Sequence, residues 1–151
     1  MKPVCIAIVD SAHARIYSYQ GDPPVFREMN NLINPSRRAK DGELFSSTRP
    51  GIRNVGGTDD HRKDHRAHWD REFAKQIIDE CLELTRTRGY AHVIFVSSPR
   101  MLGELRSVSE PLRKSCVLID ELERDLAGLT SPQIHDRLAD AHLIDPRARA
   151  R

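Results

Sequence analysis

An amphipathic segment followed at once by a fully apolar one is the feature that most constrains this fold. Large apolar side chains recur at every fourth position, at Trp69, Phe73, Ile77 and Cys81. This spacing places them on one face of a helix over about 66–88, and Gly89 supplies a C-terminal stop signal. The next segment, YAHVIFVSSP over Tyr90–Pro99, has the continuous apolar character of a buried strand of the parallel-sheet type. The two patterns together predict a helix packed on a sheet.

Three strand-like segments precede this unit. VCIAIVD, over Val4–Asp10, is a continuous apolar run that predicts a buried strand. RIYSYQG, which starts at Arg15, alternates apolar and polar residues and predicts a second strand paired to the first as a hairpin. After the turn signal GDPP, VFREMNNLI over Val25–Ile33 predicts a third strand. The N-terminal part is therefore expected to form an antiparallel meander.

Helical and strand patterns also alternate after Pro99. RMLGELRSVSEPLRK has helical spacing, with a kink or break expected at Pro111. The segment Cys116–Leu126 begins as a strand, and a last helix opens with Thr130 or Ser131 as its cap. The order β-β-β, long loop, α-β-α-β-α predicts an α/β three-layer domain with a mixed sheet.

Length and composition fit one domain followed by a basic tail. The chain has 151 residues, which predicts a single domain over 1–146, a long flexible loop within it at about 34–65, and a basic tail at 147–151. A formal charge of +2 is not a strong signature of polyanion binding. Three distant cysteines without a CxxC pair indicate buried, reduced thiols. The N-terminal apolar run is too short for a signal peptide or a membrane span, so we expect a cytoplasmic protein with no membrane partner.

The segment 34–65 carries the candidate binding residues. A loop of this length inside a compact domain is uncommon and is usually functional or disordered. Gly56 and Gly57 permit positive φ angles and let backbone N–H groups approach a ligand closely. The cationic side chains around this pair, which can bind phosphates, are Arg49, Arg53, Arg62 and Lys63.

Three histidines give an alternative interpretation of the end of this segment. They are His61, His65 and His68, spaced by four and then three residues. On a helix these spacings share one face, which is the arrangement used to hold zinc or another divalent metal. An oxygen ligand would come from Asp60 or Asp64. We expect no cofactor unless these histidines bind zinc.

A carboxylate at the end of the first strand offers a second metal hypothesis. Asp10 directly follows the apolar run, and carboxylate clusters in proteins hold Mg²⁺ for phosphoryl chemistry. The carboxylates that would complete such a cluster are Asp59, Asp60, Asp120 and Glu121. No P-loop, GxSxG, HExxH or GxGxxG motif is present. A metal-assisted hydrolase or nuclease is therefore an alternative function.

Four blocks of the sequence carry a family pattern: IAIVDSAHARIYSY, FAKQIIDECLEL, YAHVIFVSSPRMLGELR and LERDLAGLTSPQIHDRL. The matching positions are Asp10, Ala14, Arg15, Ile16, Pro99, Arg100, Leu102, Gly103, Leu105, Arg106, Asp125 and Leu126. In these positions the chain resembles the bacterial host attachment protein family. The resemblance covers nearly the whole chain, and its most specific block is Pro99–Arg106.

That family is in turn similar to the central domain of archaeo-eukaryotic peptide-chain release factors. The resemblance implies a ribonuclease H-like α/β domain of the translational-machinery type, with a ribosome or tRNA as partner. In the release factors, a long loop before a helix carries Gly-Gly-Gln, which assists hydrolysis of peptidyl-tRNA. Here Gly56 and Gly57 match, and Thr58 stands in place of the glutamine. We therefore expect RNA binding without hydrolysis. Two alternative functions remain, a metal enzyme and a protein-interaction module in host attachment. The chain could also form a homo-oligomer.

Overall fold

The fold is organised around one five-stranded mixed sheet. The computed structural model describes residues 3–21, 23–35 and 58–147. In the last of these ranges, side chains are described from residue 66 onward. The strands are β1 (Val4–Val9), β2 (His13–Gln20), β3 (Val25–Ile33), β4 (His92–Ser97) and β5 (Leu118–Glu123). Their order in the sheet is β3-β2-β1-β4-β5. β2 pairs antiparallel with β1 and β3, whereas β1, β4 and β5 run parallel. The predicted meander and mixed sheet are confirmed.

Four helices belong to the described part of the chain. They are α1 (Thr58–Arg88), α2 (Pro99–Ser107), α3 (Glu110–Lys114) and α4 (Ser131–Asp140). The predicted break near Pro111 is confirmed, because α2 and α3 are separate helices. Thr130 is confirmed as the cap of α4, since its hydroxyl accepts from the Gln133 N–H and the Gln133 side chain accepts from the Thr130 N–H. Among these helices, none is both long and apolar enough to cross a membrane.

Helices cover both faces of the sheet. β1 lies in its middle, so its side chains alternate between two apolar clusters, one on each face. The face covered by α1, α2 and α3, which we call the α1 face, buries Phe73, Ile77, Phe95, Leu105 and Leu112. The opposite face, which we call the α4 face, buries Tyr17, Tyr19, Ile134 and Leu138. The domain therefore has three layers, as predicted, and the continuous apolar run of β1 reflects burial on both of them.

The predicted loop at about 34–65 is wrong at its C-terminal end. α1 begins at Thr58, so the last eight positions assigned to the loop are helical. The acidic residues Asp59 and Asp60 fall in the first turn, where negative charge stabilises a helix N-terminus. The stretch lacks an apolar stripe, so its sequence pattern predicts a loop and gives no signal for a helix. Residues 36–57 lie outside the described part of the chain.

Two expectations about the interior also need correction. Cys116 is exposed and has φ of 59° in the turn before β5, whereas Cys5 and Cys81 are buried with their Sγ atoms 3.9 Å apart. Trp69 is only half-buried, whereas Phe73, one turn further on, is fully buried. Both misplaced residues lie where the apolar pattern begins or ends, and there the sequence alone does not locate the boundary of the core.

Candidate nucleic-acid interface

A polar cluster joins three segments of the chain at the edge of the sheet where β1 and β4 end, which we call the carboxyl edge. Asp70 of α1 is almost buried, and its Oδ2 lies 3.1 Å from Arg100 Nη2 at the start of α2. Asn34, fully buried after β3, donates from Nδ2 to Asp70 Oδ1 at 3.3 Å and to the Ser11 carbonyl at 2.8 Å. The cluster therefore fixes α1 to the turn after β1 and to the start of α2.

α1 extends well past this edge. Its 31 residues span about 46 Å at about 1.5 Å per residue. Its buried side chains run from Asp70 to Cys81, and the described side chains before Asp70 are exposed or half-buried. Because α1 leads into β4, which is parallel to β1, the helix starts at the carboxyl edge and runs back along the sheet. The part before Asp70 therefore projects about 18 Å beyond the sheet.

Three of the predicted RNA-binding residues belong to this projecting end. Thr58 is the first residue of α1, and Arg62 and Lys63 lie in its first two turns, with side chains outside the described set. The predicted residues that lie wholly outside the described ranges are Arg49, Arg53, Gly56 and Gly57. Gly56 and Gly57 immediately precede Thr58 in the chain, so they are attached to the N-terminus of the helix.

The three predicted metal ligands all fall within α1. They are His61, His65 and His68. Their spacing along one continuous helix places their Cα atoms on the same face. The side chain of His68 is exposed, and its ring centroid lies 5.3 Å from that of Trp69 at 65°. Among the side chains that the structure describes, no group of three His, Cys, Asp or Glu could hold a metal, so the zinc site stays a prediction.

Of the carboxylates proposed to join Asp10 in a Mg²⁺ site, the two on β5 are not brought to it by the sheet, and the side chains of Asp59 and Asp60 lie outside the described set. Asp10 Oδ1 accepts from the N–H groups two and three residues further on, at 2.7 and 2.6 Å, and so closes the turn into β2. The strand register places Asp120 level with Ile6 of β1. Ile6 lies four residues before Asp10, which corresponds to about 13 Å along the strand direction. Glu121 is engaged elsewhere, because Arg106 Nε donates to its Oε2 at 3.1 Å. Asp10 is thus a turn residue here.

The block Pro99–Arg106 has a structural role that its sequence pattern does not reveal. It forms most of α2, and Leu102 and Leu105 bury against the α1 face. Glu104 Oε2 lies 3.6 Å from Nε of Arg71 in α1. Arg106 reaches Glu121 of β5, and this hydrogen bond raises the pKa of the guanidinium. With the Arg100–Asp70 pair, these contacts join α1 to the parallel half of the sheet.

Asn34 and Asp70 were missed by the sequence reasoning. Asp70 has a detectable signal, because it lies three residues before Phe73 and seven before Ile77, on the buried face of the helix. A carboxylate on such a face requires a polar partner. Asn34 has no comparable signal, since its role depends on where β3 ends relative to α1.

Together these features define an α/β domain whose longest helix extends beyond the carboxyl edge of a mixed sheet. The family model described as "Protein required for attachment to host cells" matches residues 5–138. The chain belongs to this host attachment family, as the sequence blocks had predicted. No curated protein matches the chain.

Two similar solved structures are both of Ppx/GppA proteins from Aquifex aeolicus. One is the type II variant of the Ppx/GppA phosphatase, with 13% identity, a TM-score of 0.42, and coverage of 97% of this chain and 42% of that one. The other, described as the Aquifex aeolicus member of the Ppx/GppA family, has 13% identity, a TM-score of 0.42, and coverage of 96% and 41%. The chain thus spans about two fifths of the length of these proteins.

Proposed function

We propose that this chain binds the ribosome or tRNA through the projecting end of α1 and the Gly56–Gly57 segment before it, without hydrolysing peptidyl-tRNA. One observation carries the proposal: Thr58 is the first residue of a 31-residue helix whose described side chains become buried only from Asp70 onward. The glycines are therefore attached to a rigid rod, and the rod is fixed at its base by Asp70. Such an arrangement is suited to placing a short backbone segment inside a recess of a larger partner.

The chemistry at this end of the molecule suits RNA. Gly56 and Gly57 have no side chains to keep the backbone N–H groups away from a phosphate or a base. Cationic side chains on either side can neutralise phosphates; they are Arg49, Arg53, Arg62 and Lys63. Recognition of RNA loops and ends by such segments does not require a strongly basic protein overall, which is compatible with the net charge of +2.

The resemblance to release factors that we proposed from the sequence favours binding and argues against hydrolysis. The sequence resemblance implies a ribonuclease H-like domain similar to their central domain, in which Gly-Gly-Gln stands in a long loop before a helix. This chain keeps the two glycines before a long helix. Thr58 replaces the glutamine, and its short hydroxyl side chain cannot supply an amide to the reacting ester. We therefore assign the segment to binding.

Ribosome co-sedimentation tests the proposal. Wild-type protein is expected to pellet with ribosomes at low salt, and Gly56→Ala/Gly57→Ala is expected to pellet less, because two added Cβ atoms obstruct close backbone approach. If the four cationic side chains each meet a phosphate, the logarithm of the binding constant should fall with log salt with a slope of about −3.

Gly128→Ala is the matched control for this experiment. An added Cβ at Gly128 meets no atom within 4 Å, and the residue lies in the loop before α4, which the proposal does not assign to the interface. It should pellet like the wild type. Equal pelleting of the wild type and the double variant would remove the glycines from the mechanism, and no pelleting of the wild type would remove the ribosome as partner.

A further inference from the structure

A pocket lies on the α4 face, where the start of β3 meets α4 and the segment that follows it. Its volume is about 280 Å³, near the lower limit of the range of about 300–1,000 Å³ for small-molecule sites. The lining residues are Pro24, Phe26, Ser131, Pro132, His135 and Arg147. Because α1 covers the opposite face of the sheet, this pocket is separate from the interface described above.

The aromatic part of the pocket wall is held in place by packing against buried tyrosines. The Phe26 ring stacks on Tyr17 with centroids 4.4 Å apart and an interplanar angle of 5°, and Tyr17 is fully buried. The His135 ring lies 5.3 Å from Phe26 and 5.8 Å from Tyr19. An aromatic surface that is already ordered loses little conformational entropy when a ligand stacks on it. The pocket is therefore suited to a flat ring.

Two side chains in this wall offer hydrogen bonds. His135 Nε2 lies 2.8 Å from the Asp145 carbonyl oxygen. Because a carbonyl can only accept, Nε2 donates to it, and Nδ1 is the ring nitrogen that has no hydrogen bond among the described residues. Ser131 Oγ is 3.4 Å from the Tyr17 hydroxyl, a long contact that leaves the serine able to exchange partners. The pocket thus offers an acceptor and a hydroxyl to a ring that carries N–H groups.

The charge at the pocket comes from Arg147. Its Nε and Nη2 donate to Asp136 Oδ1 and Oδ2 at 2.8 and 2.9 Å. Within the described residues, Nη1 makes no hydrogen bond, so its two N–H groups remain for an anionic ligand. Asp136 holds the guanidinium in a fixed orientation, which favours recognition of an anion such as phosphate.

A flat ring with N–H groups that also carries an anion is the chemical description of a nucleotide. We propose that this pocket binds one nucleotide, with its base against Phe26 and its phosphate at Arg147. The site is distinct from the projecting end of α1, and the proposal does not rest on ribosome binding.

Isothermal titration calorimetry of the full chain with adenosine 5′-monophosphate (AMP), adenosine and inorganic phosphate tests the site. AMP should bind more tightly than adenosine, because only AMP has a phosphate to meet Arg147. Phe26→Ala should weaken both ligands by about 5- to 150-fold, the range that corresponds to losing one base–aromatic stack. Arg147→Ala should weaken AMP to the level of adenosine and leave adenosine unchanged.

Val25→Ala is the matched control, since Val25 neighbours Phe26 on β3, points to the other side of the strand and is 45% exposed. It should leave every affinity unchanged. If circular dichroism shows that Phe26→Ala does not fold, Arg147→Ala decides the matter alone. The proposal is overturned if no AMP binding is detected. It is also overturned if Arg147→Ala leaves the AMP affinity unchanged. None of these outcomes depends on ribosome co-sedimentation.

Discussion

Asp70 fixes the long helix α1 to the carboxyl edge of the sheet. Its residue exposure is 6%, and its two carboxylate oxygens meet different partners, Arg100 and Asn34. The Arg100 side chain is half-exposed, so water screens that ion pair and limits its contribution. The contact with Asn34 is fully buried. Removing the acceptor of a buried amide lowers the stability of the fold more than removing the acceptor of an exposed amide. The direction of the projecting end of α1 therefore depends on this carboxylate.

Asp70→Ala is expected to lower the free energy of unfolding by about 1–3 kcal/mol, since it removes an acceptor from a buried amide. Urea denaturation measures the change. The matched control is Asp79→Ala, an exposed carboxylate on the same helix, which should shift stability by less than about 0.5 kcal/mol. Equal losses in the two variants would show that the cluster at the carboxyl edge contributes no more than a surface charge.

Arg15 is a family-pattern residue whose role is structural. Its Nη1 donates to the carbonyl oxygens of Ala127 and Leu129 at 3.2 and 2.8 Å, and its Nε donates to Glu28 Oε1 at 3.0 Å. The hydrogen bond to Glu28 raises the pKa of the guanidinium, so the side chain stays charged. Arg15 therefore ties the loop before α4 to β2 and β3. A match to a family pattern does not by itself make a residue part of a binding site.

At the scale of elements, α2 connects the projecting helix to the parallel strands, and Gly103 lies in its middle. A glycine inside a helix lowers stability relative to alanine because it has more backbone entropy to lose. An added Cβ at Gly103 would meet no atom within 4 Å. Within the described structure, packing therefore does not explain why this position is glycine.

Gly103→Ala is expected to raise the free energy of unfolding by about 0.5–1 kcal/mol, measured by thermal or urea denaturation. Gly89→Ala provides the contrast. Gly89 has φ of +73° directly after α1, a conformation in which a Cβ costs about 1–2 kcal/mol, so this variant should lose stability. If both substitutions changed the free energy of unfolding in the same direction, the difference in backbone conformation between Gly103 and Gly89 would not explain the effects.

β5 shows how position in the sheet overrides composition. The stretch Asp120–Glu123 has three acidic residues, a composition typical of a solvent-exposed segment. In the structure it belongs to an edge strand, where Ile119 packs against the α1 face and Leu122 against the α4 face. Asp120 Oδ2 lies 2.7 Å from His92 Nε2 on the neighbouring strand. Charged side chains on an edge strand also discourage pairing with another sheet.

At the scale of the whole molecule, the two apolar clusters share the same central strands. β1 and β4 each contribute alternate side chains to both faces. Loss of either layer of helices exposes strands on which the other layer depends, so the two layers should unfold together.

Ile77→Val on the α1 face and Ile134→Val on the α4 face test this coupling, since both residues are fully buried. Each should lower the free energy of unfolding by about 0.5–1.5 kcal/mol, and the double variant should show their sum within about 0.5 kcal/mol. Fluorescence of Trp69, the single tryptophan, and far-ultraviolet circular dichroism should give one coincident transition. Leu118→Ala, at a residue that is 61% exposed, should change little. Two separate transitions would show that the layers are independent.

The sequence by itself determined the elements and their pairing into layers. Periods of two and of about 3.6 residues report directly which face of a segment is buried, so the meander, the core part of α1, β4 and the cap of α4 were predictable. It also determined family membership, because the block Pro99–Arg106 is specific.

Only the tertiary structure decided how far α1 extends and what holds it. Thr58 to Trp69 form a helix without an apolar stripe, so periodicity has nothing to detect there. The cluster of Asn34, Asp70 and Arg100 joins residues far apart in sequence. The pocket around Phe26 and Arg147 likewise exists only because α4 and the segment after it return to β3. Contacts of this kind depend on where elements end in space, and no local pattern encodes that position.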